Sequence, residues 1–255
     1  MVEKKKIGLV LSGGGARANA HIGALQALNE NGIYPSHLSG ASAGALIAAL
    51  YCSGYKPLEI LELSKSQAFL NIFKIGFLNK GLTEMTRLKS FLNNHIKSDF
   101  SELNIPLSIS VTNLNIGNNE IMSSGYIIDV IAASCAVPLL FKPVSINNYL
   151  YVDGGLLNNF PVEPLLETCH KIIGVSVNEH HINNKIKGPL QVTERCLQLA
   201  VWNTVQERIN KCNATVLIDK HLEYTMFSIK KSQELFQIGY DSTMANMDTI
   251  LKSLD

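Results

Sequence analysis

Gly40-Ala41-Ser42-Ala43-Gly44 stands between an apolar stretch ending at Leu38 and the helix-like run Ala45-Leu46-Ile47-Ala48-Ala49-Leu50. This is the setting of a nucleophile elbow, a serine on a tight strand-to-helix turn. Small residues on both sides let the backbone turn sharply and let a substrate reach the hydroxyl. The helix that follows presents unpaired N–H groups and partial positive charge at its start, which favour a developing oxyanion. G-x-S-x-G alone arises by chance in about one chain in ten of this length. Ser42 in isolation also fits a helix N-cap. The neighbouring segments have to decide.

Upstream, Ile7 to Leu11 reads as a short buried strand and Ser12-Gly13-Gly14-Gly15-Ala16-Arg17 as a glycine-rich turn. A helix follows from Ala18 to Asn31, with Ile22, Leu25 and Leu28 on one face and Gly32 as its stop. Such a loop exposes backbone N–H groups to an anion. A dinucleotide site would place a glycine where Ala18 stands, and a P-loop would end in Gly-Lys-Ser/Thr, which is absent. The oxyanion of an acyl-transfer intermediate remains, and Arg17 adds positive charge beside it. Downstream, Val152-Asp153-Gly154-Gly155 sets an aspartate at the end of a strand on an accessible turn. Its carboxylate is a candidate general base for Ser42, although Asp-Gly is also a common turn pair.

Elsewhere, Pro57 to about Ile96 reads as helical with a break around Asn79-Lys80-Gly81. Leu107 to Thr112 reads as a strand with Glu120 to Ser123 as its partner. Tyr126 to Ala136 is a helix ended by Pro138, Tyr149 to Val152 a strand, and Lys171 to Val177 a β-branched strand. Gln191 to Cys212 reads as a long helix, Ala214 to Asp219 as a strand, and Ser228 to Leu254 as a closing helix bent at Gly239. This alternation predicts an α/β fold, a three-layer α/β/α sandwich with a mainly parallel central sheet. With no repeat or linker, residues 1–255 are expected to form a single domain that includes 191–255.

The chain of 255 residues is 46% apolar and 17% charged, which favours a well-buried core. A net charge of +1 gives no reason to expect nucleic-acid binding. Five cysteines without a C-x-x-C pair predict buried free thiols in a reducing compartment. The apolar run at Ile7–Leu11 is too short for a signal peptide, and no stretch approaches the roughly 20 apolar residues of a membrane span. The expectation is a cytoplasmic protein, with peripheral contact at the inner membrane surface.

Gly-Gly-Gly-Ala-Arg (13–17), Gly-Ala-Ser-Ala-Gly (40–44) and Asp-Gly-Gly (153–155) together resemble the patatin-like phospholipase family. The resemblance continues through Ala132-Ala133-Ser134-Cys135-Ala136-Val137-Pro138, Phe141-Lys142-Pro143-Val144 and Asn158-Asn159-Phe160-Pro161-Val162, and covers about Lys6 to Ser176. It implies a Ser–Asp dyad without histidine, with Ser42 as nucleophile and Asp153 as base. It assigns the oxyanion hole to the backbone of Gly13, Gly14 and Gly15 with Arg17 as cationic neighbour. Gly40 and Gly44 belong to the elbow, and Gly154 and Gly155 to the aspartate motif. Fatty acyl esters, chiefly of phospholipids, are the implied substrates, with no metal and no cofactor. The oligomeric state is left open.

Two rivals are testable in the fold. A Ser-Asp-His triad has the right chain order, with His221 as the credible histidine. His180 and His181 fall in a polar stretch, His170 lies in a charged segment before a strand, and His21 reads as packed or surface. Gln67 to Asn79, with Phe69, Phe73 and Phe77, reads as a core helix or as a cap over the acyl groove where Lys74 and Lys80 meet headgroups. Two further functional readings keep the scaffold: a hydrolase of soluble carboxylic esters or thioesters, and a non-catalytic lipid-binding or regulatory protein.

Overall fold

In β1 (Ile7–Leu11), Leu9 and Leu11 turn into one core and Val10 into another, the period of two of a strand buried on both faces. β7 (Lys171–Ser176) repeats the pattern: Ile173 and Val175 pair with Leu9 and Leu11, and Ile172, opposite Gly8, turns into the same smaller core as Val10. The computed structural model describes residues 5–72, 84–178, 186, 188–219, 224–226 and 228–255. The larger core lies under α1 (Asn19–Glu30), α2 (Ser42–Cys52), α3 (Pro57–Lys65), α5 (Thr86–His95), α6 (Ile127–Ser134) and α10 (Ser232–Ala245). On the opposite face, Phe160 and Val162 pack with Leu165 of α8 (Glu163–Thr168) and Val205 of α9 (Gly188–Ile209). Helices therefore cover both sides of one sheet, as the sequence predicts.

Between these layers, β8 (Ala214–Leu217), β7, β1, β2 (His37–Ala41) and β3 (Leu107–Asn113) run parallel. The far end is antiparallel. β4 (Asn118–Met122) and β6 (Tyr149–Asp153) pair with β3, and β5 (Val144–Ile146) pairs with β6. The sequence reading missed β5, whose hairpin to β6 turns on Asn147 and Asn148 at φ 49° and 67°. Such positive φ values at both loop positions suit the twist of a two-residue hairpin. It also missed α7 (Gly155–Asn158) and α8, one to two turns each.

Strand register decides where the site forms. β4 occupies one edge of β3 from Ile109 to Asn113. β2, which pairs Ala41 with Ser110, and β6, which pairs Asp153 with Val111, therefore share the other edge. They approach along it from opposite directions, so their C-terminal ends, Ala41 and Asp153, meet.

The closing helix differs from expectation. It divides at Asn246 into α10 and α11 (Met247–Leu254), and Gly239 lies inside α10. A Cβ at Gly239 would strike the Ala20 carbonyl of α1, and one at Gly23 of α1 would strike the Phe236 carbonyl of α10. The glycine thus serves a close helix crossing and bends nothing. All five cysteines are free, but only Cys52 and Cys135 are buried; Cys196 is exposed, contrary to the expectation of uniformly buried thiols. Among the described residues no helix is long and apolar enough to cross a membrane.

Candidate active site

β2 passes into α2 without a connecting residue, and Ser42 at the junction has φ 51°. That left-handed conformation costs a non-glycine residue about 1–3 kcal/mol unless the surroundings enforce it. Here the Ser42 N–H donates to Ser134 Oγ at 2.8 Å, and the Ser134 hydroxyl donates to the Ser110 carbonyl at 2.7 Å. The turn also needs its glycines. A Cβ at Gly40 would sit 2.8 Å from the Ala45 nitrogen, and one at Gly44 would run into the Leu11 and Ser12 carbonyls.

Ala41, not Ser42, is the N-cap residue of α2, and the Ser42 Oγ donates instead to Asp153 Oδ2 at 2.6 Å. The other carboxylate oxygen, Oδ1, accepts from the Gly155 N–H at 2.7 Å. The Asp153 backbone is fixed as well, its N–H bonded to the Ala136 carbonyl at 3.0 Å and its carbonyl to Thr112 Oγ1 at 2.9 Å. Both side chains are buried. Burial pushes the Asp153 pKa up from 3.8 to about 6, against the opposing pull of the hydrogen bonds from Ser42 and Gly155. A carboxylate of this kind is still ionised at neutral pH and accepts a proton more readily than an ordinary aspartate.

The glycine-rich loop lies across from this pair. The Gly13 N–H is engaged by the Asn159 carbonyl at 3.3 Å, so it is not free for an oxyanion as the sequence reading had it. The N–H groups of Gly14 and Gly15 donate to no protein group among the described residues. The loop is braced from behind. Ala16 N–H donates to the Met226 carbonyl at 2.9 Å, Asn178 Nδ2 donates to the Gly13 carbonyl, and Arg17 bonds the Gly14 carbonyl at 3.3 Å and Asn178 Oδ1 at 2.9 Å. The guanidinium thus holds the loop in shape in addition to placing positive charge near it.

One cavity gathers these groups. Gly13, Gly14, Gly15, Arg17, Ser42, Asp153, Asn159, Asn178, Arg195 and Gln198 line its polar part, and Val137, Pro138, Leu156, Leu199, Val201, Trp202 and Met226 its apolar part. α9 forms one wall. It is tied to the strand side by Thr204 Oγ1, which accepts the Asn159 N–H at 3.2 Å, and by Arg208, which donates to Glu163 at 2.6 Å. Sequence reasoning assigned no role to Ser134, Thr112, Asn159, Asn178 or Trp202. The Ser134 and Asn159 segments were noted, but only three-dimensional register gives those side chains a task.

The rival triad finds no support among the described residues. His21 is buried with Nε2 donating to the Ser12 carbonyl at 2.7 Å, and His170 Nδ1 accepts the Lys6 N–H at 3.1 Å. No described histidine lines the cavity; His180, His181 and His221 lie outside the described residues. In the suggested cap segment, Phe69 belongs to α4 (Gln67–Ile72) and is buried edge-on against Phe91, with ring centroids 5.5 Å apart. Phe73, Lys74, Phe77 and Lys80 lie outside the described residues.

The chain is similar to known proteins in sequence and in fold. The family model described as patatin-like phospholipase matches residues 9–166. Lysophospholipase NTE1 of Cryptococcus neoformans is 34% identical over 179 residues, 64% of this chain and 10% of the relative. Lysophospholipase NTE1 of Candida glabrata is 32% identical over 216 residues, 80% of this chain and 12% of the relative. The chain therefore spans about a tenth of the length of these curated relatives. Among solved structures, VipD from Legionella pneumophila superposes with a TM-score of 0.52 at 16% identity, covering 96% of this chain and 67% of that one, a likeness of fold.

Proposed function

Because the chain belongs to the patatin-like phospholipase family, we propose that it is a serine acyl hydrolase that cleaves fatty acyl esters of lysophospholipids or phospholipids. The observation that carries this reading is the 2.6 Å hydrogen bond from Ser42 Oγ to a buried, pKa-raised Asp153 in a cavity with one polar and one apolar part. An acyl chain suits the apolar lining, and the ester with its headgroup suits the polar lining.

In the proposed reaction Asp153 takes the proton of Ser42 Oγ as that oxygen attacks the ester carbonyl carbon. The oxyanion is stabilised by the N–H groups of Gly14 and Gly15, which donate to no group among the described residues, while Gly13 and Arg17 maintain the loop's geometry. Asp153 then protonates the departing alcohol oxygen, leaving an acyl group on Ser42. Water attacks that ester with Asp153 again as base, releasing the fatty acid and restoring the serine. Histidine has no part in these steps. A lipid substrate also calls for contact with a lipid surface, and in this reading Leu139, exposed next to the cavity-lining Pro138, makes it. In this reading α9, α10 and α11 belong to the same catalytic domain as the motifs.

The test is product analysis with the purified protein and a palmitoyl lysophospholipid. Free palmitate should accumulate with the wild type, while Ser42→Ala should be indistinguishable from buffer. Equal release by Ser42→Ala would exclude this serine as the nucleophile. Release from short-chain soluble esters with none from lipid would move the substrate to the soluble class.

A further inference from the structure

Among the described residues, those lining the cavity include three that carry charge: Asp153, Arg17 and Arg195. In the proposed reaction Asp153 moves the proton. Arg17 shapes the glycine loop, its Nε donating to the Gly14 carbonyl and a terminal nitrogen to Asn178 Oδ1. Arg195 reaches the cavity from α9, half-buried, with Nη1 donating to Gln198 Oε1 at 3.4 Å. A guanidinium carries five N–H donors in one plane, a fork that matches two oxygens of a phosphate. A half-buried cation is also less screened than one on open surface, so its charge-assisted hydrogen bonds are stronger.

α9 sets where that fork stands. The C-terminal part of the helix is fastened to the body: Val205 is buried, Thr204 Oγ1 accepts the N–H of the cavity-lining Asn159, and Arg208 donates to Glu163. Arg195, Gln198, Leu199 and Trp202 have the i, i+3, i+4, i+7 spacing of one helix face, and all four line the cavity. Apolar Leu199 and Trp202 lie nearer the fastened end of that face, polar Gln198 and Arg195 farther from it. Arg195 is about 13 Å along the helix axis from Thr204. In a phospholipid the phosphate lies a glycerol backbone beyond the reacting carbonyl and carries a negative charge at neutral pH. With the ester at Ser42 and the acyl chain on the apolar lining, the polar end of the α9 face is left for that anion. We propose that Arg195 is the specificity-determining residue for the headgroup: its guanidinium binds the phosphate of the lipid, with Gln198 orienting it. The site thereby prefers phosphate-bearing acyl esters to neutral ones. Arg195 makes and breaks no covalent bond.

This inference rests on the acyl-hydrolase reading, and one experiment separates the two. Hydrolysis of decanoyl lysophosphatidylcholine is compared with that of monodecanoylglycerol, which has the same acyl chain and no phosphate. Both are kept below the concentration at which they form micelles, so that surface binding does not enter. In Arg195→Gln the ratio of kcat/KM for the lysophospholipid to kcat/KM for the glyceride is expected to fall at least about tenfold, carried by KM for the lysophospholipid. Arg195→Lys keeps the charge without the fork and should fall between Arg195→Gln and wild type. Thermal melting establishes that each variant is folded. An unchanged ratio in folded Arg195→Gln overturns the role, whether activity on the two esters persists or drops alike. So does a loss confined to kcat. A wild type that releases decanoate from neither ester would instead remove the acyl-hydrolase reading itself.

Discussion

Burial raises the Asp153 pKa to about 6 from 3.8, and this has a consequence for stability as well as for chemistry. A carboxyl with a raised folded-state pKa binds its proton more tightly in the folded chain than in the unfolded one. Below pH 3.8 it is neutral in both states and costs nothing. As pH rises from about 4 to about 6, the unfolded chain ionises first and stability is lost, by about 3 kcal/mol in total. Asp153→Asn removes this titration. Urea unfolding of the two proteins should show wild type losing stability relative to Asp153→Asn across that pH window, with a constant difference above it. The constant offset contains the hydrogen bond that the amide cannot accept, so the pH dependence isolates the carboxylate. A difference independent of pH between 4 and 7 would mean that Asp153 is not desolvated. Ser42, Asp153 and the glycines were legible in the sequence because each sits in a short contiguous motif. Ser134, Thr112 and Asn159 were not, since each works through a partner far away in sequence: Ser134 bonds Ser42, Thr112 bonds Asp153, and Asn159 meets Gly13.

At the level of elements, the site exists because β2 and β6 share one edge of β3 and meet at their C-terminal ends. The elbow helix α2, buried along its whole length, then points its N-terminus at that junction. β1, β3, β7 and the elbow were readable from apolar runs and glycine punctuation. The β5–β6 hairpin was not, although Asn147-Asn148 carried a turn signal, because β5 has only three residues. Gly239 was misread for a similar reason: a glycine inside a helical pattern suggests a bend, and only the opposing Gly23 reveals a close crossing of α1 and α10. Gly239→Ala should therefore destabilise the fold by roughly 1–3 kcal/mol or more through overpacking against the Ala20 carbonyl. The change is far from the cavity, so esterase activity per folded molecule should stay near wild type. An unchanged urea midpoint would show that the two helices are not in backbone contact.

For the whole molecule, the layered architecture puts Ser42 and Asp153 at the boundary between two cores. Ser42 stands on the helix of the larger one, while α9 and the segment after Asp153 close the cavity from the smaller. The final third of the chain, which matches the family motifs only in general character, thus supplies Arg195, Gln198, Leu199 and Trp202 to the lining. No sequence motif announced that contribution, because a cavity wall needs only side chains of suitable size and polarity. The central claim is that Ser42 is activated by Asp153 alone. The most direct measurement is the rate at which a fluorophosphonate probe labels Ser42 as a function of pH, in wild type, in Asp153→Asn and in His221→Ala. The predicted result is a rate that falls below an inflection near pH 6 in wild type and in His221→Ala, and near-complete loss of labelling in Asp153→Asn. Rapid labelling of Asp153→Asn, or loss of labelling in His221→Ala, would contradict it.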